Sequence, residues 1–283
     1  MHTNPIRRRL LKLAATVAVV PAALLPMMSA ASAAPSTAGA AATAAAAPTF
    51  TKIEGAAGTA AGLQPTVDLF RTLLGDPNNG SALGSQPAGR REINWDGTPD
   101  AQSAPNFLPR DFFNTTVPRG AVFSSAASSR FAVSANAANP TLTPVRFGNI
   151  NTQYPSIFGT FSPQRLFTPL GTNKMSIRFF QPGSTKPATV KGFGAVFTDV
   201  DLPGITTIEL YDRWGARLWW HAVPKGTTAS KSLSFLGVKT SADVYEVRIT
   251  TGNAPLSSTN TDTWNRDVVV MDDFLYAEPK PLV

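Results

Sequence analysis

The chain is predicted to be all-β: an antiparallel β-sandwich, jelly-roll-like, with one short N-terminal helix. Three observations carry that prediction. Beyond about residue 90, short apolar-rich runs recur between clusters of Gly, Pro, Asn and Ser. Several of these runs alternate apolar and polar residues, the period of a strand with one buried face. No stretch shows the strand–helix–strand alternation that builds a parallel sheet.

The first 33 residues read as a signal peptide. Arg7, Arg8, Arg9 and Lys12 form a basic start, Leu13 to Met28 is apolar but broken by Pro21 and Pro26, and Ala31-Ser32-Ala33 offers a small-residue cleavage site. A transmembrane helix needs about 20 unbroken apolar residues, which this run lacks. Arg7-Arg8-Arg9-Leu10-Leu11-Lys12 fits a twin-arginine export pattern except that Ile6 stands where Ser or Thr is usual. An ordinary secretory signal rich in arginine is the alternative. Both routes predict a secreted or cell-envelope protein with no membrane span after cleavage. Residues 34–49 are small and low in complexity, a flexible leader with nothing to pack, so a single domain is expected over 50–283.

Within that domain the helix is expected near 66–74, where Val67, Phe70 and Leu74 share one stripe, Thr66 can cap the start, and Gly75 with Pro77 stops it. Strands are expected at 121–124, 130–134, 144–148, 174–180, 189–198, 206–211, 216–222, 232–238, 244–250 and 267–276. In the run VYEVRIT, Tyr245, Val247 and Ile249 face one way while Glu246 and Arg248 face the other. Asp212-Arg213-Trp214-Gly215 lies between two runs and reads as a hairpin turn.

Composition removes whole classes of chemistry. There is no cysteine, hence no disulfide framework and no thiolate site. Beyond the signal a single histidine, His221, remains, and no nucleophile elbow, phosphate loop or H-E-x-x-H is present. No catalytic residue is therefore assigned. The formal charge of +7 falls to +3 once the four basic residues of the signal are set aside. The charge is polarised along the chain: between Phe112 and Val200 the only acid is Asp199, against eight basic residues. An anionic polysaccharide or cell-wall polymer suits such a stretch, while the absence of a dense basic run argues against nucleic acid. Basic strand faces paired with distant acids would look the same.

Carboxylates and aromatics supply the candidate sites. In KGFGAVFTDVD, the parity of Phe193, Ala195 and Phe197 continues to Asp199 and Asp201. In DVVVMDDFLY, Asp272 and Asp273 stand on opposite apolar faces. Asp96 lies in Glu92-Ile93-Asn94-Trp95-Asp96-Gly97-Thr98-Pro99-Asp100, an oxygen-rich stretch that lacks the twelfth-position glutamate and flanking helices of an EF-hand. A buried carboxylate demands a partner or a cation, so Asp96, Asp199, Asp201, Asp272 and Asp273 are candidate calcium ligands. Pairing with arginine and turn capping would answer the same residues without a metal. Trp214, Arg217, Trp219 and His221 are candidate ligand-binding residues. Adjacent Trp219 and Trp220 must face opposite ways in a strand, and an exposed ring can stack on a sugar.

The phrases REINWDG, FSPQRLFTPLG, GFGAVFTDVD, LSFLGV, VRITTG and VVVMDDFLYAEP, together with FFN and PRG, resemble a family of exported bacterial β-sandwich proteins of unknown function. Their order over about residues 65–279 is also similar to carbohydrate-binding-like jelly rolls of surface proteins. That resemblance implies a calcium ligand at Asp272 or Asp273, the acid before an aromatic on the final strand, and no transferable activity. The functional expectation is a secreted, non-catalytic module that binds a glycan or cell-envelope polymer, with calcium as its stabilising ion. A carboxylate-based hydrolase or lyase acting on polysaccharide and a structural surface or matrix protein are the alternatives.

Overall fold

A computed structural model describes residues 46–126 and 130–282. The expected signal (1–33) and leader residues 34–45 lie outside the described residues. In chain order the elements are β1 (Phe50–Ala57), α1 (Ala60–Leu74), β2 (Arg90–Ile93), α2 (Phe112–Thr115), β3 (Ala121–Ser124), β4 (Phe131–Val133), α3 (Tyr154–Ile157) and β5 (Phe167–Pro169). There follow β6 (Lys174–Phe180), β7 (Pro187–Thr198), β8 (Thr207–Tyr211), β9 (Arg217–Ala222), β10 (Leu233–Val244), β11 (Glu246–Thr250), β12 (Val270–Ala277) and β13 (Lys280–Pro281).

These strands form an antiparallel β-sandwich. The first sheet runs β1–β10–β7–β12, with β2 and β5 both on β12 and β4 beyond β5. The second runs β3–β6–β11–β8–β9. Strand β7 belongs to both: its first residues pair with β6 and β13, and from Val190 onward it pairs with β10 and β12.

Strand parity sorts the two cores. Phe193, Ala195 and Phe197 of β7 and Phe274 and Tyr276 of β12 point between the sheets, where they meet Ile177, Phe179, Ile208, Leu210, Val247 and Ile249. Trp95 fills this interior, stacked on Phe167 at 4.0 Å and donating its indole N–H to the Asp272 carbonyl at 2.8 Å. On the other face of the first sheet, Val196, Phe235 and Leu275 receive Leu63, Val67, Phe70 and Leu74 of α1. That i, i+4, i+7, i+11 spacing is one helical stripe. Helix α1 is thus a third layer. Gly194 and Gly237 leave the backbone bare beneath Phe70: a Cβ built on either would lie 2.7 Å from its ring.

Local chemistry accounts for the departures from expectation. Helix α1 begins six residues before Thr66, because Thr59 caps it by accepting the Gly62 N–H at 3.2 Å and Pro65 is accommodated within. It stops at Gly75 (φ 101°), whose N–H closes on the Arg71 carbonyl at 3.0 Å. The run 144–148 is not a strand. Arg146 and Phe147 take φ values of 48° and 63°, and Phe147 turns under a loop to join Tyr154 and Phe158. Strands β1, β2, β5 and β13 were not anticipated; β1 alternates too weakly at the sheet edge to stand out, and the other three are two to four residues long.

Candidate functional site

The outer face of the second sheet carries an open groove of about 560 Å³. Alternation builds it: while Ile177, Leu210, Val247 and Ile249 face the core, Ser176, Arg178, Glu209, Tyr211, Glu246 and Arg248 face outward. The register sets Glu246 between Arg178 and Tyr211, and Arg248 between Ser176 and Glu209. Glu246 accepts from Nε of Arg178 at 3.0 Å and from Nε of Arg248 at 2.6 Å. The Arg248 guanidinium lies 3.9 Å from the centre of the Tyr211 ring, and Tyr211 donates its hydroxyl to Glu209 at 2.6 Å. Burial pushes the Glu246 carboxyl up, but the two arginines outweigh it and hold the group below its ordinary value. Despite their ion pairs, the side chains of Arg178 and Arg248 remain 53% and 47% exposed. Four cations (Lys174, Arg178, Arg217, Arg248) stand here against two acids (Glu209, Glu246), an excess of two positive charges.

The four expected ligand-binding residues fall in different places. Trp214 tops the β8–β9 hairpin, 78% exposed, where the Asp212 carboxylate accepts the N–H groups of Trp214 and Ala216. It borders a pocket of about 130 Å³ with Thr189, Asp212 and Asp243. Arg217 lies at the groove's edge, 3.4 Å from Glu209. Trp219 packs partly buried against the core, and it is Trp220, opposite Glu209 in register and 46% exposed, that faces outward beside the groove. His221 leaves the groove for the sandwich rim, 3.3 Å from Glu54 and 2.6 Å from Lys52.

The five expected metal ligands divide into two groups. Asp272 and Asp273 sit at a β-bulge in β12, which sends Met271 and Phe274 to the same core and breaks the simple alternation. Both carboxylates reach Ser162 Oγ, at 3.0 and 2.7 Å, and Asp272 also accepts the Phe161 N–H at 2.7 Å. Burial and the mutual repulsion of the pair raise Asp272 well above a normal carboxyl, and burial takes Asp273 to about 6. Asp273 lies 3.8 Å from Arg71 of α1, which is itself bound to Glu92. Asp96 approaches this group from the Arg165 side, accepting the Arg165 N–H at 3.1 Å.

Asp199 and Asp201 lie apart from that group. At the end of β7, Asp199 adopts φ 68°, so the parity of Phe193, Ala195 and Phe197 does not carry through to it or to Asp201. Asp199 instead faces Asp262 and Asp267, with Asp201 nearby. Among the described residues no group of three or more acidic or imidazole side chains is placed as it stands to hold a metal ion. The sequence reading missed Asp262, in the loop TDTWNRD, and Asp267, which it placed inside the final strand. Arg178, Tyr211, Glu246 and Arg248 were not among the expected ligand-binding residues, although the common parity of Arg178 in MSIRF and of Glu246 and Arg248 in VYEVRIT is visible in the sequence.

No family model and no curated protein matches the chain. A solved glycoside hydrolase family 43 arabinoxylan arabinofuranohydrolase from Bacillus subtilis, in complex with cellotetraose, is similar at 14% identity and a TM-score of 0.27. That match covers 57% of this chain and 27% of the other, so this chain spans about a quarter of the structure it resembles.

Proposed function

We propose that this is an exported, non-catalytic module that binds an acidic glycan or anionic cell-envelope polymer across the outer face of its second sheet. The observation that carries the reading is the groove itself: two half-exposed guanidiniums on adjacent strands, with Tyr211 beneath one and Trp220 beside it. Guanidiniums pair with carboxylates and phosphates along two parallel hydrogen bonds, and flat rings accept sugar faces. An elongated anionic chain meets both features at once. Binding has more support than hydrolysis, because a general acid must hold a proton near the working pH and Glu246 is held ionised by two arginines. The Asp272–Asp273 pair has proton affinity of the right kind but is enclosed at a few per cent exposure or less.

The test is affinity electrophoresis of the mature protein through gels containing a polyuronate, a teichoic-acid-type polyphosphate or a neutral β-glucan. Retardation by an anionic polymer is expected, falling with added salt as exposed charges are screened and lost when Arg178 and Arg248 are both changed to Ala. No retardation by either anionic polymer, or equal retardation of the double variant, would refute the proposal. The first of those outcomes would leave the structural surface-protein reading.

A further inference from the structure

The second acidic group contains oxygens that the protein itself does not satisfy. Asp199 is fully buried, and among the described residues neither of its carboxylate oxygens has a hydrogen-bond donor. Oδ2 of Asp262 and Oδ1 of Asp267 are likewise buried without partners. The remaining oxygens of the two neighbours are well served: Asp267 Oδ2 accepts the N–H groups of Asp201 and Leu202 at 3.1 and 3.0 Å, and Asp262 Oδ1 accepts that of Val268 at 2.7 Å. Backbone donors thus hold Asp262 and Asp267 with their other oxygens free to meet Asp199. The left-handed backbone at Asp199, anchored by its N–H to the Ser232 carbonyl at 3.0 Å, turns that carboxylate inward.

Such an arrangement needs positive charge. Three carboxylates out of water repel one another, and each unmatched oxygen carries its full desolvation cost. A proton shared between Asp199 and Asp262 joins one pair of oxygens and leaves the other two unanswered. Among the described residues no arginine or lysine contacts the Asp199, Asp262 or Asp267 carboxylates in an ion pair, whereas Asp100, Glu92, Glu246 and Glu278 are each paired.

We infer that Asp199, Asp262 and Asp267 form a calcium site at the end of β7, joining that strand end to the 253–267 loop. Calcium takes six to eight oxygens in flexible geometry and draws readily on loop carbonyls and water. Such groups would have to complete the shell, since among the described residues no three acidic side chains are by themselves placed round one ion. A surface groove lined by Asp201, Lys225, Thr263 and Trp264 adjoins the segments that carry these aspartates. The inference stands whether or not the outer groove of the second sheet binds polymer.

The test is thermal unfolding of the mature chain in EDTA and in millimolar CaCl₂, for wild type, Asp199→Asn, Asp262→Asn and Asp272→Asn. A ligand at a hundred times its Kd raises the midpoint of a domain of this size by about 5–10 °C. Wild type and Asp272→Asn are expected to show that rise and the other two variants to lose it. An unchanged wild-type midpoint in calcium would overturn the assignment. So would a rise that persists in both Asp199→Asn and Asp262→Asn, or one abolished by Asp272→Asn alone, which would move the ion to the other acidic pair.

Discussion

Arg91 and Glu278 offer the sharpest test of what holds the fold together. Both are almost fully buried, 187 residues apart in sequence, and joined by two hydrogen bonds of 2.9 and 2.8 Å. The same guanidinium donates to the carbonyls of Gly80, Ala82, Gly84 and Pro118 at 2.8–3.0 Å, so it closes the 76–89 loop over the sheet. Glu278 also accepts from Asn79 Nδ2 and the Gln86 N–H. Glu278→Gln keeps the shape but turns one acceptor into a donor facing a buried cation. Removing one partner of such a pair costs about 3–5 kcal/mol. For a domain of roughly this size that is a midpoint loss of about 6–20 °C. Arg91→Met should cost at least as much, because four carbonyls lose their donor together. The double variant should fall well short of the sum, since neither charge is then stranded. Urea unfolding with fitted m-values measures all three. A Glu278→Gln chain within about 1 kcal/mol of wild type, at unchanged m, would show that the pair contributes little and that the reasoning fails.

Two further outcomes can be checked on the same material. Gly237→Ala would place a methyl 2.7 Å from the Phe70 ring and 2.9 Å from Phe235. Its expected cost is about 1–3 kcal/mol, partly recovered by adding Phe70→Leu; no recovery would put the strain elsewhere. The second concerns pH. Because its folded value lies below the ordinary 4.5, Glu246 contributes stability at pH values above that figure, and the contribution disappears as pH falls through the lowered folded value. Between about pH 5 and pH 3 the melting point of wild type should therefore fall more steeply than that of Glu246→Gln, and superimposable curves would rule the effect out.

Much of the sandwich was legible because its strands are half-buried and alternate, as in MSIRF and VYEVRIT. The helix was legible from Val67, Phe70 and Leu74, but its start was not. Pro65 reads locally as a breaker, and only the packing of Leu63 against the first sheet shows that the stripe begins earlier. The candidate sites were legible as residue types and not as neighbourhoods. A run of alternating parity is trustworthy only while φ stays extended, and at Asp199 a single left-handed residue redirected the carboxylate. The bulge between Met271 and Phe274 did the same for the other acidic pair. Asp262 could not be found from spacing, since its partnership with Asp199 depends on the chain returning across 62 intervening positions.

The membership of β7 in both sheets bears on how this chain reaches its fold. Its neighbours in the first sheet are β10 and β12, and the outer strands β1 and β2 pair in turn with β10 and β12, so that Phe50 meets Thr240 and Arg90 meets Ala277. The earliest strands therefore have no partner until the latest ones exist. Pairings this distant in sequence slow folding, because a long loop must close before any contact rewards it. A chain emerging from the ribosome can assemble the β8–β9 hairpin early, but the first sheet waits for β12. Until β10 arrives, the apolar residues of β1 and α1 lack the strand that covers them.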